Sequence, residues 1–141
     1  HARGVAMFRS FSTMSAAAVE VKKGENGIEI VKVTSVIDCG QYVNPDHVKA
    51  QTEGNIVMGI SAAVKGGITF SNSKCDQSNF HDYQFMRMAE MPKVDIHIIE
   101  NQEAPGGVGE PGLPPIAPAL GNAIFNLTGE RHRKLPLDLN A

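Results

Sequence analysis

The chain has 141 residues, of which 42% are apolar, enough to bury one real core, so a single globular domain over residues 1–141 is expected. A net charge of -2, with basic residues scattered except at Arg131 to Lys134, argues against nucleic-acid binding. No apolar run is long enough for a transmembrane helix, and the amino end lacks the charged-then-apolar order of a signal peptide; the compartment stays open.

The chain opens His1-Ala2-Arg3 without an initiating methionine, and Gly4 to Phe8 reads as a strand already under way, as an excerpt of a longer chain would. Residues 3–8 and 13–22 are strand candidates separated by Arg9 to Ser12, and a hairpin through Gly24 to Gly27 leads to a third strand, 28–37. In that third strand the apolar residues switch from even positions (Ile28, Ile30) to odd ones (Val31, Val33, Ile37). The switch predicts a bulge or burial on both faces. Asn44 is suited to cap a helix, Pro45 to open it and Asp46 to complement its positive end, so a helix over 45–64 is expected. Its first half is polar and its second apolar nearly all round, with Gly54 and Gly59 implying close packing against another backbone. Beside the cap, His47 is read as a surface histidine.

Residues 66–70 read as a short strand, 71–74 as a turn and 77–83 as a polar and aromatic connection. His81 and Asp82 adjoin, but adjacent side chains are not expected to face one another and no nucleophile motif accompanies them, so no catalytic dyad is assigned. Met88 and Met91 are read as core filling or as lining of an approach to a site. Residues 93–99 alternate cleanly, with Val94, Ile96 and Ile98 inward and His97 outward. Cys39 and Cys75 are too few for a disulfide scaffold and lack metal-ligand spacing, so reduced thiols are expected and no metal ligand is assigned. The basic residues from Arg131 to Lys134 follow a helix end and are read as a solvated cap.

The organising stretch is Ala104 to Pro118, Ala-Pro-Gly-Gly-Val-Gly-Glu-Pro-Gly-Leu-Pro-Pro-Ile-Ala-Pro. Its clustered glycines allow positive φ and close approach to a ligand, while the prolines stiffen it. Glu110, between Gly109 and Pro111, has almost no neighbouring side chain and would meet whatever lies opposite. Pro114 and Pro115 suit the first turn of a helix, and the apolar spacing from Ile116 to Leu127 carries that helix to Gly129. The whole predicts an α+β domain, a mainly antiparallel sheet of about four to six strands with helices 45–64 and 114–128 packed on one side.

Gly-Gly-Val-Gly-Glu-Pro before a Pro-Pro-Ile-Ala-Pro-Ala helix resembles the active-site loop near the carboxyl end of the molybdopterin-binding subunit in the xanthine oxidase family. The isoquinoline 1-oxidoreductase and aldehyde dehydrogenase type is the most similar within it. Further matches in order are Asp38-Cys-Gly-x-x-Val-Asn-Pro45, Gln51-Thr-Glu-Gly54, Ser78-Asn-Phe-x-x-Tyr83 and Arg131-x-Arg-x-Leu-Pro136. Departures are Asn55, where a second glycine is usual, Gly67, often a glutamate, and Ser12, commonly a glycine. The resemblance implies Glu110 as catalytic base, Gln51 and Gly109 beside a molybdopterin cofactor, and hydroxylation of an aldehyde or N-heterocyclic substrate with oxygen from water. It also implies the remaining part of the molybdenum subunit and an iron-sulfur subunit as partners, with the isolated chain lacking cofactor and activity. A non-catalytic remnant that keeps the fold for binding or homo-oligomerisation is the alternative. An anion-binding role for the glycine loop is disfavoured because its prolines remove N–H donors.

Overall fold

The computed structural model describes residues 1–140. Strands β1 (Ala2–Ser10), β2 (Thr13–Gly24) and β3 (Gly27–Asp38) form an antiparallel meander. After helix α1 (Pro45–Val64) and a two-residue hairpin, β4 (Phe70–Ser71) with β5 (Lys74–Cys75), strand β6 (Lys93–Ile98) joins β3 in parallel. Helix α2 (Ile116–Thr128) completes the fold. The main sheet has the order β1-β2-β3-β6, an α+β architecture in which the crossover through α1 makes one pairing parallel.

Both helices cover one face of the sheet. Ala17, Val19 and Val21 of β2 and Val33 of β3 meet Ile56 and Ile60 of α1 and Ile116, Leu120 and Ile124 of α2 in one buried cluster. The apolar switch in β3 is the expected bulge: Glu20 pairs with Lys32 and Val21 with Ile30, so Val31 has no partner opposite it. Burial correspondingly passes from Ile28 to Val33, Ser35 and Ile37.

The β1–β2 loop is only Phe11-Ser12, with φ of 51° and 62°. A two-residue loop in this mirror-image conformation matches the twist of the strands, yet no glycine or asparagine announces it. Ser12→Gly is therefore expected to stabilise the chain by up to about 1 kcal/mol: the left-handed conformation costs a non-glycine residue ~1–2 kcal/mol, offset in part by glycine's freer unfolded state. A urea midpoint that falls in the variant contradicts this.

The helices begin and end close to expectation, with two corrections. Asn44 Oδ1 accepts from the Asp46 amide at 2.9 Å, Pro45 opens α1, and Gly129 closes α2 at φ 81°. Pro114 and Pro115 lie before α2, and Pro115 occupies the cap. Gly59 packs against a side chain, Ile116, and not a backbone, while Gly54 faces open space. The expected strand 66–70 shrinks to Phe70–Ser71, because its partner across the Asn72-Ser73 turn is only Lys74–Cys75. Met88 is 91% exposed, so it fills no core; Met86 packs there instead.

Candidate active site: the Glu110 loop

The glycines of the loop work differently from expectation. None of Gly106, Gly107, Gly109 or Gly112 has positive φ. What Gly106 and Gly107 provide is space: a side chain at Gly106 would overlap Thr13, and one at Gly107 would meet Phe11 at 2.8 Å. They let the loop lie against the tip of the β1–β2 hairpin. There Gly107 N donates to the Phe11 carbonyl at 2.8 Å, and Thr13 Oγ1 donates to the Gly107 carbonyl at 2.7 Å. Upstream, the amides of Gln41 and Gly106 donate to the carbonyls of Glu103 and Cys39 at 3.1 and 2.8 Å. Positive φ is needed at Gly40 (69°), where the end of β3 meets the Ala104 carbonyl too closely for a Cβ.

Downstream, the loop is fastened to α1. Pro111 is fully buried, and Gly112 rests on Asn55 and Thr52, with room for a Cβ only at 3.2 Å from Asn55. Leu113 N closes a turn onto the Glu110 carbonyl at 3.0 Å, and Ile116 N bonds the Leu113 carbonyl at 3.1 Å. Gly109 and Glu110 are thus exposed between two anchored stretches. Around Gly109 there is no atom within 4 Å of a notional Cβ. The Glu110 carboxylate has no hydrogen bond or ion pair among the described residues.

A cleft of about 440 Å³ opens beside this loop, lined by Gln51 and His47 of α1, Tyr42 and Val43, and Pro105, Gly106 and Val108. Gln51 therefore shares a wall with the first half of the loop, whereas Gly109 and Glu110 lie outside that lining. His47 is exposed, as expected, but at the cleft rim. Tyr42 was not singled out from the sequence; its hydroxyl donates to Glu100 Oε1 at 3.3 Å, and desolvation together with that carboxylate raises its pKa. In the sequence Asn55 stands out only as a departure from a glycine. It is 5% exposed, and its Nδ2 has no hydrogen-bond partner among the described residues, a state that costs a buried amide dearly unless a group outside them accepts from it. Cys39 is buried, and burial raises its thiol pKa. Among the described residues no cluster of three or more His, Cys, Asp or Glu could hold a metal ion.

His81 and Asp82 do face one another, Nε2 to Oδ2 at 3.5 Å, contrary to the geometric expectation. Asp82 is nevertheless a structural group. It accepts from the amides of Ser78 and Asn79 and from the Ser78 hydroxyl at 2.9–3.0 Å. These bonds, the Asn79 and Ser78 amides first, lower its pKa to about 2. A depressed carboxyl adds stability above its unfolded pKa, about 3.9, and that contribution disappears as pH falls towards 2. The Ser78 and Asn79 amide resonances are expected to keep their positions to about pH 3 and then move through a midpoint at about pH 2. Asp82→Asn should remove the transition, and a midpoint at an ordinary aspartate value would contradict the bonding.

A mixed sheet backed by two helices, with a glycine loop pinned to its hairpin tip and a cleft beside it, defines an α+β domain with a candidate ligand site at one end of the sheet. The chain belongs to the molybdopterin cofactor-binding domain family, whose model matches residues 3–92, and it falls among the xanthine oxidase family of molybdenum enzymes. It is 37% identical over 119 residues to isoquinoline 1-oxidoreductase subunit beta of Brevundimonas diminuta, covering 84% of this chain and 15% of that one. It is also 37% identical over 121 residues to a membrane-bound aldehyde dehydrogenase of Gluconacetobacter polyoxogenes, covering 86% and 16%. Among solved structures, aldehyde oxidoreductase from Desulfovibrio gigas superposes with a TM-score of 0.74 at 25% identity, over 88% of this chain and 14% of that one. The chain thus spans about one sixth of the length of these relatives, and the matched family region ends before Glu110. No helix among the described residues is long and apolar enough to cross a membrane.

Proposed function

We propose that this chain is the part of a molybdenum hydroxylase that carries the catalytic base, Glu110, and one wall of the cofactor site. It works with the rest of the molybdenum-binding subunit and an iron-sulfur subunit. The observation that carries the reading is an exposed, unpaired carboxylate on a turn whose two flanks are fixed by the hairpin tip and by α1. The residues fit the group: Gly109 leaves open space, Gln51 offers an amide with donors and an acceptor on the cleft wall, and the buried Asn55 Nδ2 needs an acceptor.

When bound, the molybdenum cofactor supplies the oxidation chemistry. The chain's own residues hold and move the proton: a Glu110 oxygen accepts it from the attacking water-derived oxygen, and the stiff turn holds that carboxylate in place as charge shifts. Gln51, on the cleft wall, would help hold the cofactor through its side-chain amide. The substrate is an aldehyde or an N-heterocycle, whose electron-poor carbon suits attack by oxygen. Reconstitution with the remaining subunits and cofactor, comparing wild type with Glu110→Gln on both substrate classes, tests the reading; equal turnover rejects it.

One observation favours the second reading, a non-catalytic module that self-associates. The sheet face opposite the helices exposes Val5 (62%) and Met7 (63%) with Met14. Strand addition at β1 is not the route, because α2 caps its free edge: Asn122 and Asn126 donate to the Val5 and Arg3 carbonyls at 3.1 and 2.7 Å. Light scattering decides, since a monomer at all concentrations removes this reading.

A further inference from the structure

A second cleft, of about 330 Å³, lies between α2 and the chain after it, and none of its lining comes from the loop before α2 that carries Glu110. We propose that it binds a phosphate group carried on a small organic molecule. Its volume is within the range of small-molecule sites. The segment over it is an arch held at both ends. At one end Arg131 lies 3.7 Å over the Phe125 ring and donates to Asn122 Oδ1 at 2.9 Å. At the other, Leu137 is 5% exposed and its amide donates to the Ala63 carbonyl at 2.7 Å.

Between these anchors sit His132, Arg133 and Lys134, so a chain of net charge -2 gathers Arg131, Arg133 and Lys134 on one rim. No carboxylate among the described residues pairs with any of the three cations. His132 Nε2 is buried and has no hydrogen-bond partner among the described residues. A fixed guanidinium fork, a second guanidinium, an ammonium and an imidazole match the several oxygens of a phosphate better than the two of a carboxylate. Opposite them Ala117, Pro118 and Leu135 offer apolar surface to an organic substituent. The reading of this cluster as a helix cap accounts for none of Arg133, Lys134 or His132, because the helix is already closed by Gly129.

The test records amide spectra of the chain during titration with inorganic phosphate and then with ribose 5-phosphate, against chloride at equal ionic strength. Saturating shifts confined to Asn122 and residues 131–135, tighter for the sugar phosphate, are expected. Arg133→Ala with Lys134→Ala should weaken binding at least about tenfold, as loss of charge-assisted bonds requires, while Lys22→Ala with Lys23→Ala leaves it unchanged. Arg131→Lys, which keeps the charge but loses the fork, should also weaken it. Arg133 and Lys134 are exposed, so the fold is expected to survive, and circular dichroism checks this. Shifts reproduced by chloride, unchanged binding in the double variant, or equal binding of an acidic peptide would overturn the proposal.

Discussion

Replacing Glu110 with glutamine is expected to lower turnover of the reconstituted enzyme at least about 100-fold, the usual contribution of a positioned base. Glutamine keeps the size and the planar end group but cannot take up a proton. Because the exposed side chain has no partner among the described residues, its replacement should change folding stability by no more than about 0.5 kcal/mol. Nor should the turn change shape, since backbone bonds at Gly107 and Leu113 and the buried Pro111 hold it. The loss should fall on kcat more than on KM, because proton transfer belongs to the transition state and not to substrate binding. Glu110→Asp retains a base on a shorter arm and should keep part of the activity. If Glu110→Gln instead lowers the melting temperature and leaves turnover intact, the carboxylate is structural and the enzymatic reading fails.

The local chemistry of the backbone was legible because each signal is short-range. Asn44-Pro45-Asp46 predicts a capped helix start, Gly129 a helix end, and the even-to-odd switch around Ile30 and Val31 a bulge, and each follows from neighbours along the chain. The Phe11-Ser12 loop was not legible, since its positive φ values are imposed by pairing along the whole of β1 and β2 rather than by the residues' own preference. The glycines of the Glu110 loop failed for a related reason. Their role is to accommodate Thr13 and Phe11, roughly ninety residues away in sequence, and no local rule names that partner. Asn55 hides within an apolar run, and only its burial without a partner marks it. Ser78 to Tyr83 gives the reverse lesson, in which His81 and Asp82 meet as a dyad would, yet the bonds to Ser78 and Asn79 assign Asp82 to the loop's own stability.

Gly4→Ala is expected to be the most damaging small change to the fold. In β1 a methyl group at this position would overlap the Ala119 carbonyl and the Ala123 amide of α2, both backbone atoms of a helix, which cannot turn aside as a side chain would. Overpacking typically costs 1–3 kcal/mol, and here the whole helix must retreat, so a loss of about 3 kcal/mol and a melting temperature lower by roughly 10 °C are expected. The retreat would also stretch the Asn122 and Asn126 bonds that cover the β1 edge. Its effect should reach the site, because Ile116, at the start of α2, is lodged against Gly59 and follows directly on the Leu113 turn. Gly109→Ala is the informative contrast. With negative φ and nothing within 4 Å, it should leave stability within about 0.5 kcal/mol of wild type, so any fall in its turnover comes from the space the methyl takes in front of the loop. If Gly4→Ala melts as wild type does, α2 is not packed on β1 as described. If Gly109→Ala melts and turns over as wild type does, that glycine does not face the cofactor, and the wall assigned to it must be drawn from Gln51 and the buried amide of Asn55.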